Sequence, residues 1–277
     1  MNINDYLARI GLAAPPPATL AGLRTLHAAH LLAIPYENID VQLGRPLTIE
    51  RPAIFEKIVT RGRGGWCYEM NGLLGWALGE LGFDATRATG AVVREMKGEM
   101  AEGNHLVLRV ALPEGIYLAD VGFGDGPRDP IPVAVGAFES QGFHYGLSRV
   151  DDTWWRFAND PRGGAPSFDF NLAPADERRL AERCEFLQTS PQSPFVQNLV
   201  AQRHTPQGLT ILRGRTVRYL TPTATREHVI GSADELLATL KTEFALDVPE
   251  VATLWPKIVE RHEDVLKQKR DAAASQT

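Results

Sequence analysis

The chain opens with apolar residues at helical spacing. In "TLAGLRTLHAAHLLAI" (19–34), Leu20, Leu23 and Leu26, then Ala33 or Ile34, recur every three or four residues, and Pro35 closes the run. "RPAIFEKIV" (51–59) sets Pro52 near a first-turn position, where a missing N–H costs nothing. From Cys67 the pattern sharpens. Met70, Leu73, Leu74, Ala77, Leu78 and Leu81 trace one face of an amphipathic helix that ends near Gly82. After Phe83 the texture turns β-branched and aromatic. "ATRATGAVVRE" (85–95), "NHLVLRVAL" (104–112), "GIYLADVGF" (115–123), "GFHYGLSRV" (142–150) and "TWWRFAN" (153–159) read as strands, separated by short turns such as "PEG" at 113–115. Sequential hairpins of this kind predict an antiparallel meander or small barrel. "DPRGGAPSFDFNLAP" (160–174) reads as loop.

The last third mixes both periods. "LVAQRHTPQGLTILRGRTVRYL" (199–220) predicts two or three strands turned at "TPQG" and "RGR". Ser232 and Glu235 stand at capping-box spacing before "ADELLATLKTEFAL", which predicts a helix over 232–246. A final helix follows, bent or restarted at Pro256, and the tail "DAAASQT" (271–277) is expected to fray. Helices, then strands, then both together indicate an α+β protein with segregated layers.

Composition narrows the function classes. At 277 residues there is room for one to three core-forming units, and 44% hydrophobic with 23% charged residues is an ordinary globular balance. A net charge of −5 argues against a nucleic-acid partner. No stretch approaches the ~18–20 apolar residues that span a bilayer. "MNINDYLARI" lacks the basic-then-apolar pattern of a secretory signal. Two cysteines make no disulfide framework and no multi-cysteine metal site, so the expectation is a cytoplasmic protein with no metal and no membrane or nucleic-acid partner.

One of those cysteines sits in "RGRGGWCYEMNG" (61–72), behind glycines and at a helix start. Unpaired N–H groups and the helix dipole there favour a thiolate. Gly62, Gly64 and Gly65 allow the backbone to present Cys67 in a cleft, with free N–H groups as an oxyanion site. Cysteine is also among the most buried residue types, so position alone leaves packing and nucleophile evenly open. Cys184, with no histidine or glycine turn nearby, reads as an inert buried thiol.

A nucleophilic thiol needs a histidine, and the histidine an orienting group. His27 and His30 read as surface or satisfied helix positions, and His204, His228 and His262 as solvated; His144 stays open. His105 stands out because of its hairpin. If the turn is symmetric about Pro113 and Glu114, Leu112 faces Gly115 and Val107 faces Asp120. His105 and Asp120 are then diagonal neighbours on one face, provided that no bulge shifts the register. Alone, His105 is an ordinary strand residue and Asp120 an ordinary turn residue. Beside Cys67 they compose a Cys–His–Asp set.

"RGGWCYEMNG" (63–72), "NHLVLRV" (104–110), "LADVGFG" (118–124), "IPYENID" (34–40) and "TSPQSPFVQNLVAQRHTPQG" (189–208) resemble, in order and interval, segments of the arylamine N-acetyltransferase family. Tyr36 stands where that family usually has phenylalanine. The resemblance implies an N-terminal helical bundle (1–86), a central antiparallel β-barrel (87–190) and a C-terminal α/β lid (191–277), around a cysteine-protease-like core. It implies Cys67, His105 and Asp120 as the triad. Acetyl-CoA would acetylate the cysteine, and an arylamine or arylhydrazine would accept the group by a ping-pong route. Tyr36 and Phe123 become candidates for the walls of an aryl pocket, where plain core packing is the alternative. Gly122 and Gly124 become candidates for close approach of coenzyme A, where a tight turn is the alternative. Glu37 and Arg63 are expected to form a buried salt bridge beneath the site. Three rival readings stay open: a cysteine-triad hydrolase or amidase, an amide synthase of antibiotic assembly, and a non-catalytic binder. The expected assembly is a monomer or homodimer.

Overall fold

The computed structural model describes residues 1–274, without the side chains of 272–274. The helical part comprises α1 (Ile3–Arg9), α2 (Leu20–Ala33), the two-residue strand β1 (Tyr36–Glu37), α3 (Ile39–Gln42), α4 (Arg51–Phe55) and α5 (Cys67–Glu80). A π-helical turn, Glu56–Thr60, follows α4 and carries Lys57 inward. The stripe of Met70, Leu73, Leu74, Ala77 and Leu78 makes α5 the hub. It packs Leu23, Leu26 and Ile54 on one side and Leu108, Val110 and Ala119 of the first hairpin on the other.

Next come β2 (Asp84–Val92), the short α6 (Arg94–Lys97), β3 (His105–Leu112), β4 (Gly115–Ala119), β5 (Ile131–Pro132), β6 (Gly136–Ser140), β7 (Phe143–Arg149), β8 (Trp155–Ala158) and β9 (Ser167–Pro174). They form one antiparallel sheet in the order β5-β4-β3-β2-β9-β8-β7-β6. The sheet curls so that Val107 and Leu118 from one end meet Phe143, Tyr145 and Phe157 from the other. The ladder ends at β5 and β6, so the expected barrel is an open, curled sheet. Across the gap, Ser140 Oγ donates to Asp129 Oδ2 at 3.1 Å.

The stretch 160–174, read as loop, contains β9, a central strand. Phe168 and Phe170 alternate into the core, while Asp169, fully buried between them, is held by Arg156 of β8 at 2.6 and 3.0 Å. An aspartate neutralised by a neighbouring strand leaves no trace in the local pattern.

The remainder is α7 (Glu177–Thr189), α8 (Pro194–Gln197), β10 (Val200–Thr205), β11 (Gly208–Arg213), β12 (Thr216–Leu220), β13 (Thr225–Val229), α9 (Ala233–Phe244) and α10 (Trp255–Ala274). The four strands make a second antiparallel sheet, and β1 joins its edge through Tyr36 against Gln202. Ser232 caps α9 by accepting the Glu235 N–H. Pro256 falls in the first turn of α10, after a 3-10 turn at Pro249–Leu254. That helix runs on through Ala274, so residues 271–274 of the tail are helical, while 275–277 lie outside the described residues. Among the described residues no helix is long and apolar enough to cross a membrane.

His204, read as solvated, is buried in β10, where burial pulls its pKa down to about 3. His30 is likewise buried and pulled down to about 3, with Nδ1 against the Tyr6 hydroxyl at 3.0 Å. Each must stay neutral when folded but charges when unfolded, so stability is complete above about 6.5 and erodes as pH falls. Asp125, pushed up to about 6 by burial, takes its proton while still folded and opposes one of them. The net expectation is a Tm that falls steadily from pH 7 to pH 5, read by scanning calorimetry; a Tm rising over that range would contradict it.

Candidate active site

Cys67 is the first residue of α5 and is 3% exposed. The glycines before it act for two separate reasons. Gly62 adopts a left-handed φ of 66°, which glycine tolerates best. Gly64 and Gly65 leave space for β1: a Cβ on Gly64 would collide with the Pro35 carbonyl, and the Glu37 N–H donates to the Gly65 carbonyl at 2.9 Å. Glu69, at the third position of α5, reaches back to the Trp66 N–H at 3.2 Å and fixes the helix start.

The first hairpin has the register that its symmetry predicts, Leu112 facing Gly115 through Leu108 facing Ala119, with no bulge. Just beyond the ladder, His105 Nε2 lies 2.8 Å from Asp120 Oδ2. Asp120 Oδ1 accepts from Asn71 Nδ2 at 2.7 Å and from the Gly122 N–H at 2.8 Å. Asn71 lies one turn after Cys67, so the helix that presents the sulfur also holds the carboxylate. Its Oδ1 accepts the Val121 N–H at 2.9 Å. Burial works to raise the Asp120 carboxyl, but His105 and the other donors outweigh it and hold it below the usual carboxylate range.

The Cys67 thiol departs from expectation. Burial pushes it well up, Cys184 and Asp120 add to this, and the Leu106 and Tyr68 N–H groups on the sulfur only partly offset it. A helix start favours the thiolate, but desolvation wins here. Sulfur ionisation therefore requires a proton acceptor at hand. Cys184, on α7, is also buried, and burial pushes its thiol up to about 12.

Cys67 and His105 open onto a cavity of about 360 Å3, together with Tyr36, Gly122 and Phe123. Tyr36 is buried at one wall. Phe123 stands edge-on to His105, ring centres 5.9 Å apart, and against Phe168 at 4.9 Å. Sequence reasoning missed Asn71, Phe168, Phe195 and Asp125; only Asn71, at helical spacing from Cys67, carried a local signal. The cavity adjoins a cleft of about 750 Å3 through Gly164, Val200, Gln202 and Arg213. A wider cleft of about 850 Å3, between residues 47–52 and α7, reaches Cys184 but not Cys67.

At both glycines after Asp120 an added Cβ would meet protein atoms. A Cβ on Gly122 would lie 2.8 Å from Cys67 Cα and 2.9 Å from its carbonyl oxygen; on Gly124, at φ 91°, it would strike the Gln202 amide. Gly122→Ala is expected to cost about 1–3 kcal/mol of stability by overpacking against backbone that cannot yield. Thermal melts check this, and an equally stable variant would contradict it.

The expected Glu37–Arg63 bridge is present, Arg63 donating from Nη2 at 2.6 Å and Nε at 3.1 Å, within a larger network. Lys57 Nζ sits 2.9 Å from both Asp40 Oδ2 and Glu69 Oε2, and 4.0 Å from Glu37 Oε1. The network lies directly beneath the start of α5.

A family model described as N-acetyltransferase matches residues 19–253. An arylamine N-acetyltransferase of Mycolicibacterium smegmatis is 36% identical over 259 residues, covering 91% of this chain and 94% of that protein. The chain belongs to the arylamine N-acetyltransferase family. The arylamine N-acetyltransferase of Escherichia coli K12 is 30% identical, covering 90% of each chain. Among solved structures, the M. smegmatis arylamine N-acetyltransferase superposes with a TM-score of 0.84 at 35% identity, covering 94% of this chain and 98% of that one. The Mycobacterium marinum enzyme in complex with CoA gives 0.83 at 30% identity, with the same coverage.

Proposed function

We propose that the protein is an acetyl-CoA:arylamine N-acetyltransferase that carries the acetyl group on Cys67. The observation that carries this reading is the 2.8 Å contact of His105 Nε2 with Asp120 Oδ2, beside Cys67 at one cavity. With Nε2 committed to Asp120, Nδ1 is the nitrogen left to serve the sulfur. His105 takes the Cys67 proton as Sγ attacks the thioester carbonyl, and returns it to the departing coenzyme A thiolate. One thioester bond breaks and another forms, so the step is near balance. An arylamine is largely neutral at pH 7 and attacks the acyl-cysteine directly. His105 receives the amine proton as the tetrahedral intermediate collapses, and Cys67 leaves to be reprotonated. Tyr36, Phe123 and Phe195 supply the flat apolar walls that an aryl ring fits.

The donor's polyanionic end fits the adjoining cleft, where Arg213, Arg218, Lys257, Arg261 and Lys269 outnumber Glu227. Replacing Lys257 and Arg261 together by alanine is expected to raise KM for acetyl-CoA about tenfold, by loss of charge-assisted phosphate contacts. The KM for p-nitrophenyl acetate, which lacks phosphates, should not change. Equal effects on both donors would contradict the placement.

Steady-state kinetics test the reading as a whole. Parallel double-reciprocal lines for acetyl-CoA and an arylamine support a shuttled acetyl group. Release of coenzyme A that continues without amine would favour a hydrolase instead.

A further inference from the structure

The segment from Asp120 to Arg128 makes up most of the connection from β4 to β5 and carries Asp120, Gly122, Phe123 and Asp125. Both of its ends meet one side chain from α2, 93 residues away in sequence at the nearer end. His27, 1% exposed, accepts the Asp120 N–H on Nε2 at 3.2 Å. Its Nδ1 faces the Arg128 carbonyl oxygen at 2.7 Å. A backbone N–H can only donate and a carbonyl can only accept, so the two contacts together require one tautomer, with the proton on Nδ1 and a lone pair on Nε2. A protonated ring would set a donor against the Asp120 N–H, and the opposite neutral tautomer would fail at both ends.

Resting on the acetyltransferase reading above, we propose that His27 is a positioning residue: as the Nδ1–H tautomer it clamps both ends of the 120–128 loop and so aims the Asp120 carboxylate at His105. The surroundings suit that form. Burial lowers the pKa of His27 below its ordinary 6.5, against the raising influence of the Arg128 carbonyl, Asp120 and Asp129. His30 on the same helix and His204 on β10 are the neighbouring titratable rings; both are held neutral, so neither contests the arrangement. The clamp acts on a backbone N–H and touches no reacting atom. Its effect therefore belongs in the rate of Cys67 acylation and not in donor affinity.

Two measurements test the proposal. Long-range proton–nitrogen NMR correlation of the wild-type protein at pH 7 should show, for His27, a protonated Nδ1 and an unprotonated Nε2. The reverse assignment, or an imidazolium, would overturn it without any variant having to fold. In parallel, His27→Phe keeps a ring but neither hydrogen bond, and His27→Gln can place an amide oxygen where Nε2 stands. His27→Phe is expected to slow Cys67 acylation by about 10- to 100-fold, the scale of a misplaced catalytic group, with KM for acetyl-CoA nearly constant. His27→Gln should recover much of that loss. A folded His27→Phe protein with wild-type acylation, and with an unchanged pH profile for alkylation of Cys67 by iodoacetamide, would also overturn the proposal. If the wild type formed no acetyl-enzyme, the acetyltransferase reading would fail, while the tautomer and the alkylation profile would still decide the role of His27.

Discussion

Asp120→Asn is expected to lower acetyl transfer by about 10³-fold or more while leaving the protein folded. The asparagine carbonyl can keep the two bonds that Oδ1 now accepts, from Asn71 Nδ2 and the Gly122 N–H. Its amide nitrogen then faces His105 Nε2, where Oδ2 stands today at 2.8 Å. Two donors cannot share that contact, so Nε2 must give up its proton and Nδ1 must hold it. The imidazole then points a donor at the sulfur and cannot accept its proton. Because burial pushes the Cys67 thiol well up, few thiolates exist to react without that acceptor. Single-turnover acylation by acetyl-CoA reads the loss directly, and iodoacetamide alkylation of Cys67 should slow in parallel. A variant within about tenfold of wild type would remove Asp120 from the mechanism.

Lys57→Met is expected to destabilise the protein by about 3–5 kcal/mol, because it leaves buried carboxylates without their cation. Arg63 would still serve Glu37 and Asp40, at 2.6 and 3.3 Å. Glu69 would keep only the Trp66 N–H. Burial already holds the Glu69 carboxyl above its ordinary range, and losing Lys57 would raise it further. A carboxyl with a raised folded pKa binds its proton more readily folded than unfolded, so the deficit of the variant should shrink as pH falls toward 5. Adding Glu69→Gln to Lys57→Met should restore part of the stability at pH 7 for the same reason. The expected drop in Tm is roughly 10 °C, measured by calorimetry at pH 7 and pH 5. A deficit that is small, or that grows on acidification, would contradict this view of the network. Activity should fall as well, since Glu69 fixes the helix start from which Cys67 projects.

The features legible in the sequence are those whose causes are local. The apolar stripe of α5 names its own buried face, and Ser232 marks the start of α9. The first hairpin has a short turn and no bulge, so counting outward from Pro113 and Glu114 was enough to bring His105 to Asp120. Features that depend on distant partners were not legible. β9 follows the Gly- and Pro-rich run 161–166, which reads as loop, and Arg156, which neutralises its buried Asp169, lies on another strand. Lys57 draws its carboxylates from β1, α3 and α5. The sheet-forming role of Tyr36 and Glu37 depends on β10, more than 160 residues later. Cys67 shows both sides in one residue. Its place at a helix start was visible in the glycines and in the periodicity beyond them. Its burial, which reverses the expected direction of the thiol's pKa, comes from the apolar cluster it shares with Leu106, Leu180 and Leu187.

The central claim is that Cys67 carries the acetyl group. Intact-mass spectrometry of the protein mixed with acetyl-CoA, in the absence of any amine, tests it most directly. The wild type should gain one acetyl group, located at Cys67 by peptide mapping, and should lose it when an arylamine is added, with the N-acetylated amine as product. Cys67→Ala should gain nothing. A wild-type protein that turns over an arylamine with no acetyl-Cys67 at any time, or a Cys67→Ala variant that still acetylates it, would contradict the account.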